Sequence, residues 1–221
     1  MEEAHKFAGT KIYDALTGVA ALYADIDKSQ KSWKRHTPAP CPDGCGRCCE
    51  HFEPDVYEYE ALYLAVWLLE HKSETAERIR LHGAQDSLNN DDGCLLFDPG
   101  KPYHCTAYEG RCLICRLFAH SGTRGKDMRL HWKPCKFAGG PHAGREYGED
   151  ELNELFGVLP PDMAQAAARL IALNPEDTEP KPLRLALPAA IEKIKLILRF
   201  LTPPEPNSPE PDMPSPCPLS A

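Results

Sequence analysis

Cys41-Pro42-Asp43-Gly44-Cys45-Gly46-Arg47-Cys48-Cys49 places four thiols in nine residues. A second set follows at Cys94, Cys105, Cys112, Cys115 and Cys135. An ordinary apolar core has no use for thiols at this density. A metal does, because thiolates are its ligands and the intervening glycines let the backbone wrap it tightly. The C-x2-C spacing, which brings two thiols to one centre on a tight turn, occurs at Cys45–Cys48 and again at Cys112–Cys115. One such pair would be a weak signal. Two pairs with further thiols around them are a strong one.

The alternative use of clustered cysteines is a disulfide framework. The N-terminus, Met1-Glu2-Glu3-Ala4-His5, is acidic and no long apolar stretch follows it. No secretory signal is expected, and a cytoplasmic location follows. In a reducing compartment such clusters hold metal more often than disulfides. The longest apolar run, Ala61 to Leu69, is too short to span a bilayer. A net charge of -8 argues against bulk attraction to nucleic acid or to a membrane surface.

Around the thiols the pattern is helical, and the fold class expected is mainly α, with helices packed around a loop-rich cysteine centre. Phe7, Ile12, Leu16, Val19, Tyr23 and Ile26 give residues 3–28 one apolar face. A polar linker, Lys28 to His36, then leads to Pro38 and Pro40. Asp55 is a candidate cap for a helix from Val56 to about His71, whose stripe is broad enough to be buried on most sides. A more polar helix is expected over 74–88, then a turn cluster, Asn89 to Gly93. The stretch from Cys112 to Phe118 reads as a short helical turn, and 120–145 as glycine-rich loop. Further helices are expected over 149–156, over 162–173 behind Pro161, and over 189–201 behind Pro188. From Pro203 the chain is proline-rich and acidic, and is expected to be disordered. Cys217 in that tail reads as a stray thiol. The organisation expected is thus 1–35, N-terminal helix and linker; 36–147, metal-binding core; 148–202, helices packing on the core; and 203–221, tail.

Two features bear on the chemistry. Side chains of sequence neighbours diverge, so Cys48 and Cys49 are expected to serve two different metal atoms rather than one tetrahedral zinc. His51, His104, His120 and His131 are possible substitute ligands, since imidazole also binds zinc and iron, although each alone reads better as an ordinary polar side chain. From Arg111 to Arg145 eight cations (Arg111, Arg116, Arg124, Lys126, Arg129, Lys133, Lys136, Arg145) accompany one anion, Asp127. They could offset the charge of a thiolate centre, form an anion pocket, or be a solvated surface.

The pattern Cys41-x3-Cys45-x2-Cys48-Cys49, then Cys94, then Cys105-Thr106-Ala107-Tyr108-Glu109-Gly110-Arg111-Cys112-Leu113-Ile114-Cys115-Arg116-Leu117-Phe118, resembles the CxxCxxCC family, a bacterial group described as zinc- or iron-chelating. The resemblance covers about residues 41–135. It implies Cys41, Cys45, Cys48, Cys49, Cys94, Cys105, Cys115 and Cys135 as metal ligands, with Tyr108, Arg111 and Arg116 in supporting roles. Cys112 stands where the family has proline, which makes it a possible extra thiol. The cluster is also similar to that of the flagellin lysine methylases, which are associated with an iron–sulfur cluster, although most of what surrounds it there is lacking here.

The expectation is a metal-binding protein holding an iron–sulfur cluster, with room for a second metal. The rivals are a structural zinc module mediating protein interaction and a cluster-dependent, methyltransferase-like enzyme. The enzyme reading has no glycine-rich nucleotide fingerprint and no phosphate loop behind it. The partner is an unspecified protein or small molecule. No membrane or nucleic-acid partner is expected.

Overall fold

In a computed structural model the described residues are 3–37, 44–83, 93–140, 142, 144–177 and 179–201. Cys41, Cys217, the turn residues 89–92 and the expected tail 203–221 lie outside them. The architecture is mainly α, as expected. It is built from α1 (Lys11–His36), α2 (Glu58–His71), α3 (Ser73–His82), the short α4 (Leu113–Leu117), α5 (Glu149–Phe156), α6 (Met163–Ile171) and α7 (Leu183–Leu201). Among the described residues no helix is long and apolar enough to cross a membrane.

The N-terminal helix differs from its expected form at both ends. Glu3–Phe7 is a separate 3-10 turn. Gly9 takes a left-handed φ of 81°, and Thr10 caps α1 by accepting from the Tyr13 amide. The helix then runs on to His36, through the stretch expected to be a linker. Burial explains the extension. Gln30 and Trp33 are both buried, and Trp33 meets Trp132 and Phe156 edge-on at 5.0 and 5.5 Å. The polar look of 28–36 is the outer face of a helix whose inner face reaches a second core.

α2 is the central helix. Ala61, Leu62, Leu64, Ala65, Val66 and Leu68 are buried, so it is enclosed on most sides by α1, α3 and α7. Its cap is Tyr57 rather than Asp55. Asp55 and Val56 instead pair antiparallel with Lys181 and Pro182 as a two-residue ribbon, β1 (Asp55–Val56) with β5 (Lys181–Pro182). Similarly, α7 starts at Leu183, ahead of Pro188, which lies inside it. An interior proline costs about 3 kcal/mol. Leu183 and Leu187, both fully buried, return about 1.5–3 kcal/mol each. Burial therefore overrides the local signal for a helix start at Pro188. α6 starts after Asp162, whose carboxylate accepts from the Ala164 and Gln165 amides, so Asp162 and not Pro161 sets that end.

The segment 120–145, read as loop, contains most of a small antiparallel sheet: β2 (Thr123–Arg124), β3 (Leu130–Trp132) and β4 (Tyr147–Gly148), in the order β2-β3-β4. Trp132, Tyr147 and Leu152 join Trp33 in a core of their own. The strands are too short for alternation to register.

Candidate metal centre

Four stretches of chain carry the thiols. In the first, Arg47–Cys49 form a 3-10 turn closed by the Cys49 amide on the Gly46 carbonyl at 2.9 Å. In the second, the Phe97 amide bonds the Cys94 carbonyl at 2.9 Å and the Leu96 amide reaches Cys94 Sγ at 3.4 Å. The third is brought back to it by the turn Asp98-Pro99-Gly100-Lys101-Pro102, which lets Phe97 bridge antiparallel to Cys105. This turn is paid for in backbone strain. Tyr103 and His104, directly before Cys105, have φ of 57° and 50°, a region that side-chain-bearing residues occupy only when their surroundings impose it. Cys112 then caps α4 and Cys115 sits one turn along it, on the same side. In the fourth, Cys135 follows β3 by three residues.

All eight cysteines among the described residues, Cys45, Cys48, Cys49, Cys94, Cys105, Cys112, Cys115 and Cys135, line one cavity of about 130 Å³. Its other walls are Phe52, Tyr103, Phe118 and Phe137, the aliphatic Leu64, Leu96 and Leu183, and the polar Lys34, Arg111, Arg116 and His120. A space of this size exceeds that of a single water, about 10–15 Å³. The thiols surround it rather than meeting at a point: among the described residues no three Cys, His, Asp or Glu side chains stand close enough to share one ion. Cys112, which the resemblance left aside, belongs to the same wall and is only 2% exposed. Of the four histidines considered, His120 lines the cavity. His131 pairs instead with Asp127 and Glu146, His104 packs on Phe97, and His51 is exposed. α1, α2, α4 and α7 contribute to the wall, whereas α5 and α6 do not.

Cys48 and Cys49 do not diverge. Their sulfurs are 3.7 Å apart. Two thiolates about 2.3 Å from one metal at a tetrahedral angle stand about 3.8 Å apart, close to this separation.

Burial pushes the inner thiols up. Cys94 reaches about 12, and Cys105, Cys112 and Cys115 also rise. After burial, Cys112 is raised further by Glu60, Cys115, Cys94 and Cys105, Cys115 by Cys94, Cys105 and Glu60, and Cys105 by Cys48. Cys48 is raised first by its hydrogen bond with Cys49 and then by burial. Left to burial alone these groups stay neutral thiols; a cationic centre among them reverses that preference. His120 is held down to about 4 by burial, then by Lys34 and Arg111, and so is neutral at neutral pH.

The residues that hold the site in shape come from far along the chain, which is why local patterns missed them. Glu60 on α2 accepts from the Leu113 amide at 2.7 Å, the Tyr23 hydroxyl at 3.0 Å and the Tyr57 amide at 3.1 Å. It fixes the turn between Cys112 and Cys115. Arg184 at the start of α7 accepts no such single role: its amide donates to Glu53 and its guanidinium to the Gly93 carbonyl, both at 2.9 Å, tying the segment after Cys49 to the one before Cys94. Glu60→Ala strands buried donors and is expected to cost about 3 kcal/mol. Glu60→Gln keeps one acceptor and is expected to cost less than half of that, as read from denaturant midpoints.

Most of the basic stretch is not at the centre. Arg124 pairs with Asp162 at 2.6 Å, Arg129 with Asp150 at 2.7 Å and Arg145 with Glu151 at 2.6 Å, acids supplied by α5 and the cap of α6. Only Arg111 and Arg116 of the eight line the cavity, joined there by Lys34 of α1.

Residues 40–136 match the CxxCxxCC family. The family is described as a putative zinc- or iron-chelating domain. The matched stretch contains all eight cavity cysteines together with Cys41. It is somewhat under half of the chain, and α1 and the helices from α5 onward lie outside it. No curated protein and no solved structure matches the chain. The likeness to flagellin lysine methylases therefore rests on the cysteine pattern alone.

Proposed function

We propose that this CxxCxxCC domain holds an iron–sulfur cluster, with Cys94, Cys105, Cys112 and Cys115 as its nearest thiolates and the Cys48–Cys49 pair spaced to chelate one further metal atom. The observation that carries the reading is that eight thiols from four stretches of chain surround one enclosed space instead of converging on a point. A multi-atom cluster fills such a space and needs several thiolates spread around it. A single zinc ion needs four in one tetrahedron.

When bound, such a cluster supplies one-electron chemistry. The chain's own residues do the rest. Leu64, Leu96 and Leu183 back the cavity with buried apolar surface, and Lys34, Arg111 and Arg116 would offset the negative charge of ligated thiolates. Protein purified without oxygen is expected to be brown, with iron and acid-labile sulfide in comparable amounts. Stoichiometric zinc in a colourless protein would overturn the cluster and leave the cysteines as a structural staple.

A further inference from the structure

The thiol cavity adjoins a second one, of about 460 Å³, on its α1 side. Lys34, Tyr108 and Arg111 line both, so they are the partition between them. The remaining walls of the second cavity include Lys31 and Arg35 of α1. Four cations thus face one concave space, with two carboxylates among them, Asp27 and Glu109. Asp27 is already held by Arg116 Nη1 at 2.9 and 3.1 Å. The balance left in the groove is positive, in a chain whose net charge is -8.

Cations at the end of α1 also complement the helix dipole, and this alone would explain Lys34 and Arg35. It does not explain Arg111, which arrives from another part of the chain and is preset. Its guanidinium lies 4.0 Å over the Tyr108 ring, its Nη1 donates to the Tyr108 carbonyl at 2.7 Å, and Tyr108 stacks on Tyr103 at 4.0 Å. A guanidinium fixed in this way presents its fork to an oxyanion with little ordering left to do. The volume falls in the range of small-molecule sites, about 300–1,000 Å³.

We propose that this groove binds a small phosphorylated compound directly beside the thiol centre. The partition residues would then touch bound anion on one side and the metal cavity on the other. The proposal does not depend on which metal the thiols hold, so it stands or falls separately from the iron–sulfur reading.

The test is calorimetric titration of inorganic pyrophosphate into the metal-loaded full chain at low ionic strength. Lys31→Glu/Arg35→Glu changes two exposed side chains outside the thiol cavity, and is expected to weaken binding at least tenfold. Lys126→Glu/Lys133→Glu alters the net charge equally at exposed positions outside the groove, and is expected to leave binding within twofold. Absence of pyrophosphate binding, or equal weakening by both double variants, would overturn the proposal.

Discussion

Gly46→Ala is expected to cost the protein about 3 kcal/mol and most of its bound metal. The backbone is not the reason: Gly46 has φ of -121°, which any residue adopts. The reason is space. A Cβ on Gly46 would stand 2.2 Å from Cβ and 2.3 Å from Cγ of His104. His104 cannot easily give way, because its own φ is 50° and its carbonyl accepts from the Asp98 amide at 3.0 Å. The first thiol turn and the loop entering Cys105 are thus pressed together at one glycine. The second change that should repair the first is His104→Gly, which removes the whole clashing side chain and relieves the positive φ. The double variant is expected to recover metal content to near the parent value, with a coupling energy of at least about 1 kcal/mol. Metal analysis and denaturant midpoints on the four proteins of the cycle read both quantities. Equal losses in Gly46→Ala with and without His104→Gly would show that the two segments do not meet as described.

Arg116→Ala is expected to destabilise by about 3 kcal/mol, a large share of a typical total of about 5–15 kcal/mol. Arg116 is 4% exposed. Its guanidinium binds the carbonyls of Arg111 at 2.9 Å and Glu109 at 2.6 Å, pairs with Asp27, and lies 4.3 Å over the Tyr23 ring. Its own carbonyl accepts from Gln30 Nε2. Two partly buried carbonyls lose their donors when the side chain goes, and the packing of the buried guanidinium on Tyr23 is lost with them. Asp27 carries little, being 50% exposed, so Asp27→Ala is expected to cost only about 1 kcal/mol. Arg116→Lys keeps the charge but cannot reach two carbonyls and a carboxylate together, and should recover less than half of the loss. A full recovery by lysine would contradict the geometry.

What the sequence made legible follows from what kind of signal each feature leaves. The thiol spacing announced the centre because ligands must lie close in the chain to fold on a tight turn. The broad stripe of α2 announced a buried helix because burial on several sides leaves few polar positions. The end of α1 was misread because Gln30 and Trp33 are buried among residues distant in sequence, while their neighbours Lys28, Lys31 and Lys34 look like linker. The helix holding Pro188 starts earlier than its proline suggests, because that local start signal is outweighed by the burial of Leu183 and Leu187. The basic stretch from Arg111 to Arg145 leaves three readings open in the sequence, because the carboxylate partners of Arg124, Arg129 and Arg145 lie in α5 and at the cap of α6. The contact of Glu60 with the Leu113 amide and that of Arg184 with the Gly93 carbonyl left no local signal, since each spans more than fifty residues. The expected divergence of Cys48 and Cys49 did not appear: within the 3-10 turn their sulfurs come to 3.7 Å.

The most direct measurement is X-ray absorption at the edge of the metal that co-purifies with the full chain under anaerobic conditions. Iron is expected, with a first shell of sulfur alone and a second shell of neighbouring iron, because thiols line the cavity and a cluster would fill it. A first shell of nitrogen and oxygen, or sulfur around an isolated ion with no metal neighbour, would contradict it.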